Sequence, residues 1–124
     1  MIAKHFTQSE LECPCGNCSF RFSPVTLQRL DALRDKMDEP IIINSGYRCY
    51  AYNELKGYTQ THSSGQAVDI RASGKYAVRL VKYALELGFT GIGINQKGDH
   101  NGRFIHLDDL SQTAGRPRPH IWSY

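Results

Sequence analysis

At 124 residues the chain amounts to a single domain, 1–124, long enough to bury a core without cross-links. Apolar residues at 40% and charged residues at 22% match an ordinary globular protein and exclude a disordered or fibrous one. A formal charge of +3 suits an anionic surface, cell-wall polymer and nucleic acid alike, and no apolar run approaches the roughly 20 residues of a membrane-spanning helix.

In chain order, Met1 to Glu10 mixes Lys4, His5, Gln8 and Glu10 with few apolar groups and does not read as a secretory signal. The expectation is a protein made in the cytoplasm and delivered elsewhere by a partner or by release. Phe6 to Leu11 opens a short helix, with Thr7 as cap and Glu10 three residues on. A Cys/Gly-rich loop follows, Cys13 to Cys18. Ser23-Pro24 reads as an N-cap with proline at the first helical position, and Val25, Leu27, Leu30, Leu33, Arg34 and Met37 continue an amphipathic helix that breaks near Pro40. Ile41 to Ser45 reads as a short buried strand ending at Gly46, and Tyr50 to Tyr58 as a partly helical polar segment.

Val68 to Arg71 is a second strand, with Asp69 and Arg71 on the face opposite Val68 and Ile70. Gly74 to Gly88 carries the clearest helix, with Ala77, Leu80, Val81, Ala84 and Leu85 on one stripe and Gly88 as stop signal. Gly91 to Ile94 and Arg103 to Asp108 form a strand pair around the polar turn Asn95 to Gly102. Two good helices and about four short strands make an α+β domain, a mostly antiparallel sheet flanked by helices.

Chemistry concentrates in two places. His62, Gly65, Ala67 and Asp69 fall at H-x-x-G-x-A-x-D spacing, and His106 sits on a later strand. Two imidazoles and a carboxylate that meet only after folding are the donor set of a catalytic zinc, which takes three protein ligands and keeps a fourth position open. Gly65 permits a close turn between ligands, and the small Ala67 leaves room on the metal side.

This pattern resembles the zinc D-Ala-D-Ala carboxypeptidase family, which includes phage endolysins that cut peptidoglycan and shares its fold with the hedgehog signalling domain. Ile43-Asn44-Ser45-Gly46-Tyr47-Arg48 is similar to the family's S-G-Y-R segment, and Asn53 to the asparagine after it. Gly91-Ile92-Gly93 leading into Phe104-Ile105-His106-Leu107-Asp108 resembles the phage-type branch, as do the early Cys-Pro-Cys-Gly and the near-terminal Trp122.

The resemblance implies zinc bound by His62, Asp69 and His106, and Arg48 gripping a substrate carboxylate or a developing oxyanion. Several members carry an acid three residues before the last ligand, where this chain has Arg103; others carry a histidine two before it, where it has Phe104. Asp108, two after, fills the phage-type slot. It either takes the proton from water acidified by zinc or orients His106, and Asp99 is the reserve base. Gln60 stands where a serine is frequent, a position implied to contact substrate or the surroundings of the zinc ligands. The implied activity is hydrolysis in the peptidoglycan stem, as a D-Ala-D-Ala carboxypeptidase or an L-Ala-D-Glu type endopeptidase, with lysis by a phage or prophage as its setting. The enzyme is expected to act as a monomer.

Cys13, Cys15, Cys18 and Cys49 allow a second, structural zinc, one or two disulfides, or free thiols. Two rival functions stand beside the peptidase. A catalytically inactive zinc-containing binding module of the same fold is favoured by Arg103 at a common base position. A nucleic-acid binder lacks the aromatic–basic stripe it would need.

Overall fold

The computed structural model describes residues 2–124. Its helices start where the local chemistry places them. In α1 (Gln8–Leu11) the Glu10 carboxylate accepts from the Thr7 backbone N–H at 2.9 Å. In α2 (Pro24–Met37) the Ser23 hydroxyl accepts from the Thr26 N–H, a cap that contributes about 1 kcal/mol. That helix stops ahead of Pro40, because Asp38 adopts the left-handed conformation with φ 52°. The polar segment after Cys49 forms α3 (Tyr50–Lys56), and α4 spans Gly74–Glu86.

Five strands build one mixed sheet: β1 (Ile43–Ser45), β2 (Ala67–Arg71), β3 (Gly91–Asn95), β4 (Phe104–Asp108) and β5 (His120–Ser123), in the order β1-β2-β4-β3-β5. The first three pairings are antiparallel, and β5 joins β3 in parallel. The sequence reading of about four strands misses β5. Ile41–Ser45 is also shorter than expected and lies at the sheet edge rather than inside it: Ile42 is 52% exposed. Leu85 likewise leaves the apolar stripe of α4 for solvent.

Strand alternation divides the sheet into two chemically different faces. Val68, Ile70, Ile92, Ile105 and Leu107 cluster with Leu30, Leu33 and Met37 of α2 and Ala77, Leu80 and Ala84 of α4. This is the core. Thr26 and Arg29 of α2 both reach Asp109, fastening the chain just after β4 to the helix layer. The other face keeps its polar side chains and carries the candidate site.

Candidate metal centre and its cleft

The strand register sets the site. Asp69 of β2 lies opposite His106 of β4, which lies opposite Gly93 of β3, which lies opposite Trp122 of β5. The neighbouring row reads Ala67, Asp108, Gly91, His120. His62 comes from outside the sheet, on the 3-10 turn Thr61–Ser64. Gly65 ends that turn at φ 72°, where an added Cβ would lie 3.0 Å from the Arg21 carbonyl oxygen. The glycine of the motif therefore serves both a left-handed turn and a close chain approach. Ala67 is fully buried in register with Asp108, so its small side chain makes room for that carboxylate.

One carboxylate oxygen gathers both histidines. Asp69 Oδ1 is 3.3 Å from His62 Nε2 and 3.1 Å from His106 Nδ1, and one donor atom from each residue lies within 4.8 Å of the others. The second nitrogen of each ring is already engaged. His62 Nδ1 donates to the Gly46 carbonyl at 2.8 Å, and His106 Nε2 donates to Asp108 Oδ2 at 2.8 Å. With the outer nitrogen fixed as a donor, the inner one is the nitrogen left to ligate a metal, the tautomer that a metal-ligating histidine requires. Both rings are buried. Burial alone would raise the Asp69 pKa, but the bonds to His106 and His62 outweigh it and hold the carboxyl well below its usual range. His106 moves the opposite way: burial disfavours its charged form, yet Asp108 and Asp69 together raise its pKa. The donor set fits zinc, a borderline ion that accepts imidazole and carboxylate together.

Asp108 faces the outer side of His106, away from Asp69. It is fully buried, and both oxygens are taken: Arg118 donates through Nε at 2.9 Å and Nη2 at 2.8 Å, and the Leu110 N–H adds a weaker contact. Burial pushes its pKa up, but His106 and Arg118 overcome this and bring it down to about 2. Of the two roles open to Asp108 in the sequence, this geometry favours orienting His106.

The other expected residues separate. Arg48 lines a cleft of about 790 Å³ together with His62, Asp69 and His106. Its guanidinium lies 4.7 Å above the Tyr58 ring, and its buried Nε has no hydrogen-bond partner among the described residues. Gln60 does not line the cleft: its amide bonds to Asn53 and to the Tyr50 carbonyl, bracing α3. Asp99 accepts from the Asn101 N–H in an exposed turn outside the cleft, and Arg103 closes the same turn onto the Gly98 carbonyl.

β5 and its His120 are what the sequence reading missed, and the strand places the Trp122 that the resemblance had singled out. Trp122 packs 5.0 Å from the His106 ring, and His120 stacks on Trp122 at 5.7 Å, both on the cleft wall. A signal for this was present in Gly91-Ile92-Gly93. A Cβ on Gly93 would lie 2.7 Å from Trp122 Nε1 and 2.9 Å from His106 Cβ, and one on Gly91 would overlap the Asp108 carboxylate. Glycines at alternate positions of a buried strand mark a face already filled by its neighbours.

A family model described as Peptidase M15 matches residues 4–108, most of the chain. The chain belongs to the peptidase M15 family. The family is zinc-dependent, and the His62, Asp69 and His106 set provides a place for that ion. The match supports a metallopeptidase and ends at Asp108, so β5, with His120 and Trp122, lies beyond it. No curated protein matches the chain.

Proposed function

We propose that this M15 peptidase hydrolyses a bond in the peptide stem of bacterial peptidoglycan, using one zinc ion held by His62, Asp69 and His106. The observation that carries the reading is the pair of histidines whose outer nitrogens are bound by Gly46 and Asp108 and whose inner nitrogens converge on Asp69. An ion bound there supplies Lewis acidity toward the scissile carbonyl and acidifies water.

The chain's own residues supply the rest. Asp108, itself clamped by Arg118, holds the orientation of His106. Arg48 lines the cleft, its Nε without a partner among the described residues, and its guanidinium is suited to a stem carboxylate or to the oxyanion that forms as the carbonyl is attacked. Apart from Asp69, no carboxylate lines the cleft among the described residues, and we assign to His120, on the cleft wall, the transfer of the proton toward the leaving amine. The cleft also carries Arg116, which adds positive charge for an acidic stem peptide. The setting we propose is phage or prophage lysis, with the enzyme reaching the wall after release from the cytoplasm.

The same shortage of cleft carboxylates favours the second reading, a zinc-containing binding module without turnover. Mass spectrometry of purified peptidoglycan treated with wild type and with His106→Ala, each with and without zinc, separates the two. New stem fragments that need both zinc and His106 establish the peptidase, and their termini identify the bond and distinguish carboxypeptidase from endopeptidase action. Intact peptidoglycan in the presence of stoichiometric zinc leaves the binding module.

A further inference from the structure

The four cysteines lie together, away from the cleft. One Sγ from each of Cys13, Cys15, Cys18 and Cys49 falls within 4.8 Å of the others, and none is in a disulfide. Cys13 and Cys49 sulfurs are 3.7 Å apart, and Cys49 and Cys15 sulfurs 3.8 Å. A tetrahedral zinc with sulfur at about 2.3 Å requires sulfur–sulfur edges of about 3.8 Å. Backbone amides point at the sulfurs as well: the Cys49 N–H donates to Cys13 Sγ at 3.3 Å, and the Tyr52 N–H to Cys49 Sγ at 3.4 Å. Such bonds stabilise thiolate and fix its direction. Three of the ligands come from one loop that turns at Gly16, with φ 74°, and the fourth comes from 31 or more residues further on.

We infer that Cys13, Cys15, Cys18 and Cys49 bind a second, structural zinc ion, and that this ion braces the segment Gly46–Cys49 against the N-terminal loop. Four thiolates close the coordination shell, so the site has no position for substrate. Its importance lies in what Gly46–Cys49 does. The Gly46 carbonyl holds His62 Nδ1, the Tyr47 N–H bonds to the Leu11 carbonyl, the Arg48 N–H bonds to the His62 carbonyl, and the Arg48 side chain enters the cleft. Cys49 is the next residue. An ion at the cysteines therefore anchors the four-residue strap that orients one histidine of the first site and positions Arg48.

The thiolate site stands independently of the peptidase reading; only its effect on substrate rests on that reading. The test is metal content together with the absorption of the cobalt-substituted full chain. Wild type is expected to hold two ions per chain, and His106→Ala to retain one with an unchanged sulfur-to-cobalt charge-transfer band. Cys18→Ser, at the most exposed ligand, is expected to lose that band and keep the ion at His62, Asp69 and His106. Where stem peptides are cleaved, Cys18→Ser is expected to raise KM about tenfold. Absence of the charge-transfer band in cobalt-loaded wild type overturns the site, as does a native mass lower by one pair of hydrogens, which marks a disulfide. A Cys18→Ser chain that has lost the band yet binds and cleaves substrate as wild type does overturns the bracing role.

Discussion

Replacing Asp108 by Asn tests whether this carboxylate orients His106 or removes a proton from water. Its two oxygens accept from His106 Nε2, from Arg118 Nε and Nη2 and from the Leu110 N–H, all in a fully buried position. Asparagine keeps the shape but loses the charge, leaving the nearly buried Arg118 side chain without its partner. Removing one member of a buried ion pair costs about 3–5 kcal/mol. The pKa of Asp108, brought to about 2 by His106 and Arg118 together against burial, puts a figure on its bonds to both partners. Measured against an ordinary carboxyl near 3.9, that shift corresponds to about 2–3 kcal/mol.

Because the folded pKa lies below the unfolded one, this stability is present above about pH 4 and is lost as pH falls toward 2. Urea denaturation of metal-free wild type and Asp108→Asn, from pH 7 down to pH 2, should therefore show two curves converging in acid. Zinc affinity measured by chelator competition should fall about 10–100-fold in the variant, since a metal-ligating histidine loses its outer partner. The reasoning fails if Asp108→Asn binds zinc as wild type does and is equally stable, yet has lost turnover. That combination would make Asp108 the base.

Three other substitutions address separate parts of the cleft. Gly93→Ala forces a methyl group against Trp122 and His106 and should cost about 1–3 kcal/mol, seen as a lower Tm, together with weakened zinc binding; an unchanged Tm would mean that the strands part easily there. Arg48→Lys retains the charge but not the planar fork, so kcat/KM for stem peptide should stay far below wild type, and full activity in this variant would reduce Arg48 to a point charge. His120→Gln should lower kcat about 10²–10⁴-fold, with zinc content unchanged. A wild-type kcat in that variant would assign proton transfer elsewhere.

The parts of the molecule that were legible in the sequence are those set by local chemistry. Ser23-Pro24 starts α2 because a hydroxyl cap and a proline suit the first helical turn wherever they occur. His62, Gly65, Ala67 and Asp69 were legible because the left-handed turn, the small neighbour and the ligands occupy one short stretch. Arg48 could be placed in the cleft only through the family resemblance. Gln60 shows where such a transfer stops: its neighbours in α3 take both ends of the amide, and nothing in the spacing of residues 53 to 62 discloses that.

β5 was illegible for a different reason. Its parallel pairing with β3 is non-local, the segment between β4 and β5 has no periodic pattern, and His120-Ile121-Trp122-Ser123 is too short to carry an alternation. Yet the partner strand recorded its presence. β3 buries Ile92 on the core face and carries glycine at 91 and 93 on the other, and a β-branched residue at either glycine would have favoured the strand. The bare positions make sense only if another strand supplies the bulk above them. Here that bulk is Asp108 and His106 from one side and Trp122 from the other. The Gly-x-Gly pattern thus encodes a contact between three strands, and the metal centre depends on two residues chosen for having no side chain.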